Sequence, residues 1–154
     1  MNRKAKTRSA VKIKRVSSQL ELVQAFTIRI RVFVQEQRVP AGIELDREDQ
    51  RALHLLATIS GKAVGTARIV IHRGAAKIGR MAVLKSYRRK GVGAQLLRHA
   101  VATAEKLRAQ NIYLHAQVAV IGFYERMGFR AVGRVFDEAG IAHRKMVFGG
   151  EVTT

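Results

Sequence analysis

The chain has 154 residues and a formal charge of +18, from 29 Lys and Arg against 11 Asp and Glu. Its hydrophobic share of 47% excludes a disordered polycation, and the absence of cysteine excludes disulfides and cysteine-ligated zinc. The length predicts a single domain with a buried core, and the charge predicts an anionic partner.

A basic flexible tail is predicted over residues 1–10, followed by a folded domain over residues 11–150. Seven cations and no acid lie between Met1 and Arg15, a charge run typical of a tail. The remaining 22 cations still exceed the 11 acids, so the domain itself is basic. No apolar run reaches the roughly 20 residues of a membrane helix. We therefore expect a cytoplasmic protein with no membrane partner.

The first predicted elements are a short edge strand over residues 11–16 and a helix. Ser18 and Glu21 have the spacing of a capping box, which predicts the start of that helix. Its apolar face is predicted to carry four residues spaced by four, four and three: Leu22, Phe26, Ile30 and Phe33. Pro40 and Gly42 are predicted to end the helical region.

Three antiparallel strands are predicted next. Apolar stretches over residues 52–59, 64–71 and 77–84 are separated by turn residues at 60–62 and 73–74. Short turns between extended stretches indicate hairpins, so each strand should pair with the one before it.

The second half of the chain predicts two helices and three strands. The long helix begins at Val92 and is predicted to end at Asn111. The elements that follow are a strand over 112–116, a helix over 120–127, and strands over 129–136 and 142–148. The unit from Lys77 to Ala116 is a crossover, so its two strands should run parallel. The predicted fold is therefore α/β, with a mixed, mostly antiparallel central sheet of six to seven strands and about four helices.

The motif Arg88-Arg89-Lys90-Gly91-Val92-Gly93 lies between a predicted strand and the long helix. Two glycines remove side chains where a backbone must approach a ligand, and the free amides of a helix N-terminus bind phosphate. The three cations add charge at the same place. The third glycine of the Rossmann fingerprint and the Gly-Lys-Ser/Thr of a Walker loop are missing. The motif predicts a diphosphate-binding loop, although a tight turn alone could also explain the two glycines.

Residues 81–93 resemble the acyl-CoA signature of the GNAT superfamily of N-acetyltransferases, whose core is Arg/Gln-x-x-Gly-x-Gly/Ala. Arg88, Gly91 and Gly93 fill its three positions. The segment Phe-Tyr-Glu-Arg-Met-Gly-Phe at 123–129 resembles the second landmark of that superfamily. The runs at 31–37 and 140–143 resemble the ElaA-like bacterial branch.

The resemblance implies a binding site for acetyl-CoA as co-substrate. The backbone of Met81, Ala82 and Val83 would pair with the pantetheine arm. Amides from Arg89 to Gly93, a stretch that includes Lys90 and Val92, would hold the pyrophosphate beside Arg88. Gln117 stands where many members have an Asn that binds the arm.

The implied reaction is direct attack of a primary amine on the thioester within a ternary complex. Tyr124 occupies the position of the tyrosine that protonates the leaving thiolate in many members. A phenol with an ordinary pKa of about 10 is protonated at neutral pH, as this role requires. The base that many relatives carry is missing, because residues 77–80 contain no carboxylate. The resemblance also places Arg31 on the acceptor side.

The distribution of acids suggests where the acceptor binds. Five of the eleven acids lie within fourteen residues: Glu36, Glu44, Asp46, Glu48 and Asp49. We interpret this segment as a candidate binding lip for a cationic amine, although salt bridges with Arg47 and Arg51 would explain it equally well. Candidate base or orienting groups are Glu36, Asp46, His54 and His143.

Two other functions remain open from the sequence. A chain without the family's base could bind CoA as a sensor, and a charge of +18 could bind nucleic acid. The second is less favoured, because six Phe and three Tyr offer little aromatic platform. No metal is expected, since His72, His99 and His115 lack ligand spacing. We expect a small-molecule acceptor rather than a protein, and a monomer or homodimer.

Overall fold

A seven-stranded sheet organises the chain in the computed structural model, which describes residues 10–149. The strands are β1 Val11–Arg15, β2 Leu53–Ile59, β3 Lys62–His72, β4 Ala75–Val83, β5 Asn111–Gln117, β6 Phe129–Glu138 and β7 Ile141–Phe148. Their order across the sheet is β1-β2-β3-β4-β5-β7-β6, and only β4 and β5 pair in parallel. The predicted mixed sheet and its parallel crossover are confirmed. The predicted tail lies outside the described residues except for Ala10.

Residues 10–149 contain four α-helices, in agreement with the prediction. They are α1 Gln19–Arg29, α2 Ala41–Glu44, α3 Val92–Lys106 and α4 Ile121–Arg126. A π-helical segment, Ile30–Glu36, continues α1, and short 3-10 turns occupy Arg47–Gln50, Lys85–Tyr87 and Val118–Val120. None of the described helices is long and apolar enough to cross a membrane.

Helix α3 covers one face of the sheet with the apolar stripe that the sequence predicts. Its buried residues are Val92, Leu96, Leu97, Ala100, Val101 and Ala104. Gly65 on β3 allows the close approach, because a Cβ there would lie 3.0 Å from Leu96 Cδ1 and 3.2 Å from the carbonyl oxygen of Ala82. This packing fixes the N-terminus of α3 against the centre of the sheet.

Helix α1 covers the opposite face, but its buried side differs from the predicted one. The buried positions are Ala25, Ile28, Arg29 and Val32, whereas the four predicted apolar residues are only half-buried. Hydrophobicity could not reveal a core arginine, and the π-helical turn changes the helical period from Ile30 onward. The predicted start of α1 is confirmed, because the Ser18 hydroxyl accepts from the amide of Glu21. The capping box is incomplete, because the Glu21 carboxylate accepts from the amide of Ser17 and not from that of Ser18.

Two predicted boundaries are wrong. Pro40 does not end the helical region but caps the short helix α2. Helix α3 ends at Lys106 and not at Asn111, because Arg108 adopts a left-handed φ of +58° that breaks the helix. The amide of Gln110 then donates to the carbonyl oxygen of Gly74, and Asn111 begins β5.

The sheet opens between its two parallel strands, and this opening positions the site. Strands β4 and β5 pair only from Ala75–Ile78 to Asn111–Leu114 and diverge beyond that point. Just past it, two residues of β4, Arg80 and Met81, oppose Ala67 alone in a bulge. Arg80 has a φ of +50°. The last residues of β4 therefore present an edge that β5 does not cover.

Candidate active site

A cleft of about 1110 Å³ fills the opening between β4 and β5. It brings together twelve of the residues predicted from the sequence: Asp46, Met81, Ala82, Val83, Arg88, Arg89, Gly91, Val92, Gly93, Gln117, Tyr124 and His143. Four others do not line it: Arg31, Glu36, His54 and Lys90. The cleft has two ends. One lies at the start of α3, and the other lies among charged residues of β3, β4 and the β6–β7 turn.

The first end contains the free N-terminus of α3. Gly91 precedes the helix in a left-handed conformation with φ +79°, and no side chain caps the helix. Within residues 10–149, the amides of Val92, Gly93 and Ala94 have no hydrogen-bond acceptor. A Cβ at Gly93 would make only ordinary contacts, with Phe123 and Val83 at 3.8 and 3.9 Å, and all three residues line the cleft. Free amides at the positive end of a helix dipole form an anion site.

The cations of this loop are arranged differently from the prediction. Arg88 donates from Nε to the carbonyl oxygen of Val83 at 2.9 Å, and its Nη2 donates to both carboxylate oxygens of Glu36 at 2.9 and 3.0 Å. Lys90 lies over the ring of Tyr87, 5.3 Å from its centroid. Arg88 therefore fastens the end of β4 and neutralises Glu36. Neither Arg89 nor Lys90 forms an ion pair among the described residues, and of these two only Arg89 lines the cleft.

Tyr124 lies on α4 in the wall of the cleft. Its ring packs edge-on against Phe123 and Phe129, with centroids 5.1 and 6.2 Å away. Burial raises the pKa of Tyr124 to about 12. The phenol is therefore protonated at any physiological pH and can donate a hydrogen bond into the cleft.

Gln117 ends β5 and reaches across the cleft. Its amide nitrogen donates to the side-chain oxygen of Gln37 at 2.8 Å. Gln37 directly follows the π-helical segment, so this bond joins the β5 wall to the segment above the cleft. Glu36 and Gln37 thus contact both walls, through Arg88 and Gln117 respectively.

The predicted acidic lip is a closed ion-pair network. Three arginines and three carboxylates form it, with nitrogen–oxygen distances from 2.6 to 3.2 Å: Arg29, Arg68, Arg80, Glu44, Asp46 and Asp49. We call these six residues the arginine–carboxylate network. Its charges cancel, so Asp46 does not offer a free negative charge to an amine. Glu48 pairs with Arg51, as the alternative interpretation expected.

The network is anchored in the protein interior. Arg29 is 1% exposed and contacts Glu44 and Asp49 at 2.9 and 2.7 Å. Burial opposes ionisation of Asp49, but hydrogen bonds and charge from Arg29 and Arg68 outweigh it and lower its pKa to about 2. The three arginines come from α1, β3 and β4, far from the acids in the sequence. Proximity in the sequence therefore suggested Arg47 and Arg51 as the ion-pair partners of these acids instead.

A histidine–carboxylate cluster occupies the far wall of the same end. Glu138, which the sequence did not single out, accepts from Nδ1 of His115 at 3.2 Å. Its other oxygen lies 3.6 Å from Nε2 of His143. The hydrogen bond with His115 is the main reason that the pKa of Glu138 falls to about 2. Phe136 stacks against His143 and meets His115 edge-on, which holds both rings.

The tautomer of His143 follows from its partner. Nδ1 lies 2.7 Å from the carbonyl oxygen of Ile141. A carbonyl can only accept, so Nδ1 carries the hydrogen, and Nε2 of the neutral ring carries a lone pair. The residue is 7% exposed and lines the cleft. His143 can therefore accept a proton at Nε2.

The other predicted acceptor residues lie elsewhere. His54 is buried behind the network, donates from Nε2 to the carbonyl oxygen of Asp49 at 3.0 Å, and packs edge-on against Phe26. Arg31 is exposed on the π-helical segment. Among residues 10–149 there is no group of three side chains that could hold a metal ion.

The fold and the cleft define an α/β protein whose two parallel strands open into a cleft that ends at a free helix N-terminus. Residues 11–148 match the acetyltransferase (GNAT) domain family. The chain therefore belongs to the GNAT acetyltransferases, and it is an acyltransferase. This confirms the family that its two motifs resemble.

Similar proteins place the chain in the ElaA-like branch. It is 35% identical to the uncharacterised N-acetyltransferase YjcF of Bacillus subtilis over 128 residues, which are 82% of this chain and 91% of that protein. It is 31% identical to ElaA of Escherichia coli over 129 residues, 80% and 84% of the two chains. The crystal structure of E. coli ElaA superposes with a TM-score of 0.81 at 27% identity, covering 90% of this chain and 99% of that one. An acyl-CoA N-acyltransferase from Pseudomonas aeruginosa superposes with a TM-score of 0.78 at 31% identity, covering 92% and 99%.

Proposed function

We propose that the chain transfers an acetyl group from acetyl-CoA to a primary amine, by direct attack of the amine on the thioester in a ternary complex. One observation carries this proposal: the uncovered edge of β4, Met81–Val83, ends beside the free N-terminus of α3. An extended arm with amide groups can pair along the first, and a diphosphate can bind to the second.

The cofactor would bind along the cleft in a defined direction. Beyond Ile78 the side of β4 that faces β5 has no strand partner, so the pantetheine amides can add to the sheet as a short strand. The pyrophosphate would accept from the amides of Val92, Gly93 and Ala94, with Arg89 adding charge. This direction puts the thioester near the bulge of β4 and the acceptor at the charged end.

His143 is the proposed base for the acceptor amine. An amine attacks only after it has lost its proton, and the Nε2 lone pair of His143 is the acceptor that the cleft offers for it. Glu138 stands 3.6 Å from that atom and would stabilise the ring once it is protonated. Neither Glu36 nor His54 is proposed for this role, because neither lines the cleft.

Tyr124 is the proposed hydrogen-bond donor to the departing thiolate. Its pKa of about 12 lies well above the value of about 8.5 for an ordinary thiol. Complete proton transfer between the two would cost about 5 kcal/mol. Tyr124 would therefore act by donating a strong hydrogen bond to the sulfur as negative charge develops there.

A calorimetric titration and a CoA-release assay test the proposal together. The purified chain should bind acetyl-CoA and release free CoA in the presence of primary amines. Binding without release across a broad amine panel would instead support a CoA sensor. DNA binding that weakens with salt, without acetyl-CoA binding, would support a nucleic-acid module.

A further inference from the structure

Two opposite charges outside the arginine–carboxylate network lie at the acceptor end of the cleft, the end among charged residues that is opposite to the start of α3. The network contains three cations and three anions in mutual contact, so it adds no net charge. The other charged residues lining this end, among those that the structure describes, are Lys77 on β4 and Glu138 on β6. No ion pair within 4 Å joins them.

Lys77 is a cation without a counter-ion. It is half-buried and lies on β4 opposite Tyr113, four residues before the edge proposed to pair with pantetheine. Within residues 10–149, no carboxylate lies within 4 Å of its ammonium group. Burial lowers its pKa, Arg68 and Arg80 lower it further, and Glu138 opposes them. A desolvated ammonium group without an anion is unfavourable, so a bound anion would be stabilised here.

The anion that would bind to Lys77 is not the cofactor. The phosphates would bind at the start of α3, whereas Lys77 lies at the opposite end of the cleft. The nearby guanidinium groups of Arg68 and Arg80 already contact carboxylates of the network, and the Arg68 nitrogen without a partner, Nε, is buried. A single unpaired cation matches a single negative charge, which favours a carboxylate over a phosphate dianion.

The second carboxylate oxygen of Glu138 and Nε2 of His143 have no hydrogen-bond donor among the described residues. The carboxylate oxygen and the Nε2 lone pair lie 3.6 Å apart, too far for a direct hydrogen bond, and both are acceptors. A group with two or more N–H bonds, such as an ammonium, can donate to both. The same geometry delivers its proton to His143.

We propose that the acceptor is an amine with a carboxylate close by, as in an α-amino acid. Its ammonium group would bind between Glu138 and His143, and its carboxylate would bind Lys77. Lys77 lies opposite Tyr113 on β5, and Glu138 accepts from His115, two residues further along that strand and on the same face, so one compact zwitterion can reach both sites. This inference rests on the proposed acetyl transfer, and it replaces a purely cationic acceptor with a zwitterionic one.

Matched acceptors test the inference on the intact chain. Free CoA would be measured with acetyl-CoA and a set of amino acids, the methyl ester of each, and the amine that each gives on decarboxylation. We expect kcat/KM for the amino acid to exceed that for its ester and its amine by about tenfold or more, the range of a charge-assisted hydrogen bond. Equal values, or a preference for the analogues that lack the carboxylate, would overturn the inference.

Three variants assign the preference to Lys77. Lys77→Met should reduce the ratio of kcat/KM for the amino acid to kcat/KM for its ester towards one, mainly by raising KM for the amino acid. Lys77→Arg should retain most of this preference. Lys145→Met is the matched control, because Lys145 lies over the ring of Tyr113 at 4.7 Å but does not line the cleft. An unchanged preference in Lys77→Met, or an equal loss in Lys145→Met, would contradict the assignment.

The outcomes separate this inference from the function on which it rests. Release of CoA with simple amines but no preference for amino acids would leave the proposed function standing and remove the inference. No release with any amine, despite acetyl-CoA binding, would remove both. Circular dichroism would check that each variant is folded, and for a variant that is not, the comparison of acceptors in the unaltered chain decides.

Discussion

The phosphate loop can be tested with two glycines that share one backbone conformation. Gly91, before α3, and Gly61, in the turn between β2 and β3, both have a φ of +79°, and a Cβ at either would meet no protein atom within 4 Å. Alanine at either position should therefore cost the same backbone strain, about 1–2 kcal/mol, with no added clash. For a domain of this length, 1 kcal/mol corresponds to about 2–4 °C in Tm.

The two variants should differ only in cofactor binding. The methyl group that Gly91→Ala introduces would stand where the backbone must approach the pyrophosphate. Loss of one hydrogen bond to a charged group costs about 1.5–3 kcal/mol, so the Kd for acetyl-CoA should rise by at least about tenfold in Gly91→Ala. Gly61 is far from the cleft, and Gly61→Ala should bind as the unaltered chain does.

Calorimetric titration with acetyl-CoA and thermal unfolding of both variants would give the two numbers. Equal losses of stability with a selective loss of affinity in Gly91→Ala would support the anion site at α3. Unchanged affinity in Gly91→Ala, or the same loss of affinity in Gly61→Ala, would refute the reasoning.

Three further predictions concern the cleft and the network. Tyr124→Phe should lower kcat by about 10- to 100-fold by removing a hydrogen bond to the thiolate. Because the pKa of Tyr124 is about 12, its ionisation should cause no loss of activity up to pH 10. A fall in kcat below pH 10 that disappears in Tyr124→Phe would contradict its assignment. His143→Ala should lower kcat by at least about 100-fold, and added imidazole should restore part of it; normal kcat would remove His143 as the base. The pKa of Asp49 is lowered from 3.8 to about 2 in the folded state. Its ionisation therefore adds about 2 kcal/mol to the free energy of unfolding above pH 4, and this contribution is lost as the pH falls from 4 towards 2. Asp49→Asn should remove this acid dependence from urea unfolding curves, and a variant that kept the full dependence would argue against the network.

Much of the fold could be predicted because its elements are set by local patterns. Strand alternation, the hairpin turns and the stripe of α3 all depend on residues a few positions apart. The errors lie where tertiary contacts override those patterns. Arg29 occupies a core position of α1 because Glu44 and Asp49 neutralise it, and the end of α3 depends on a left-handed residue, Arg108.

The candidate site shows the same division between a part set by local sequence and a part set by tertiary contacts. The end of the cleft that is proposed to bind the diphosphate is continuous in the sequence, so its glycines and amides could be predicted from one motif. The acceptor end is assembled from residues of distant strands, including Arg68, Lys77 and Glu138. Five clustered acids in the sequence suggest a free negative surface. The structure pairs each of them with an arginine, and these arginines are scattered along the chain, so local spacing could not reveal most of them.

The most direct test of the proposed function follows one labelled acetyl group. Purified chain would be incubated with acetyl-CoA carrying a 13C-labelled acetyl group and with the preferred amine, and the products would be analysed by mass spectrometry. Transfer predicts one labelled N-acetyl product for each free CoA released, with no label left on the protein. Free CoA without an acetylated amine, or a label that accumulates on the protein before it reaches the amine, would contradict direct transfer in a ternary complex.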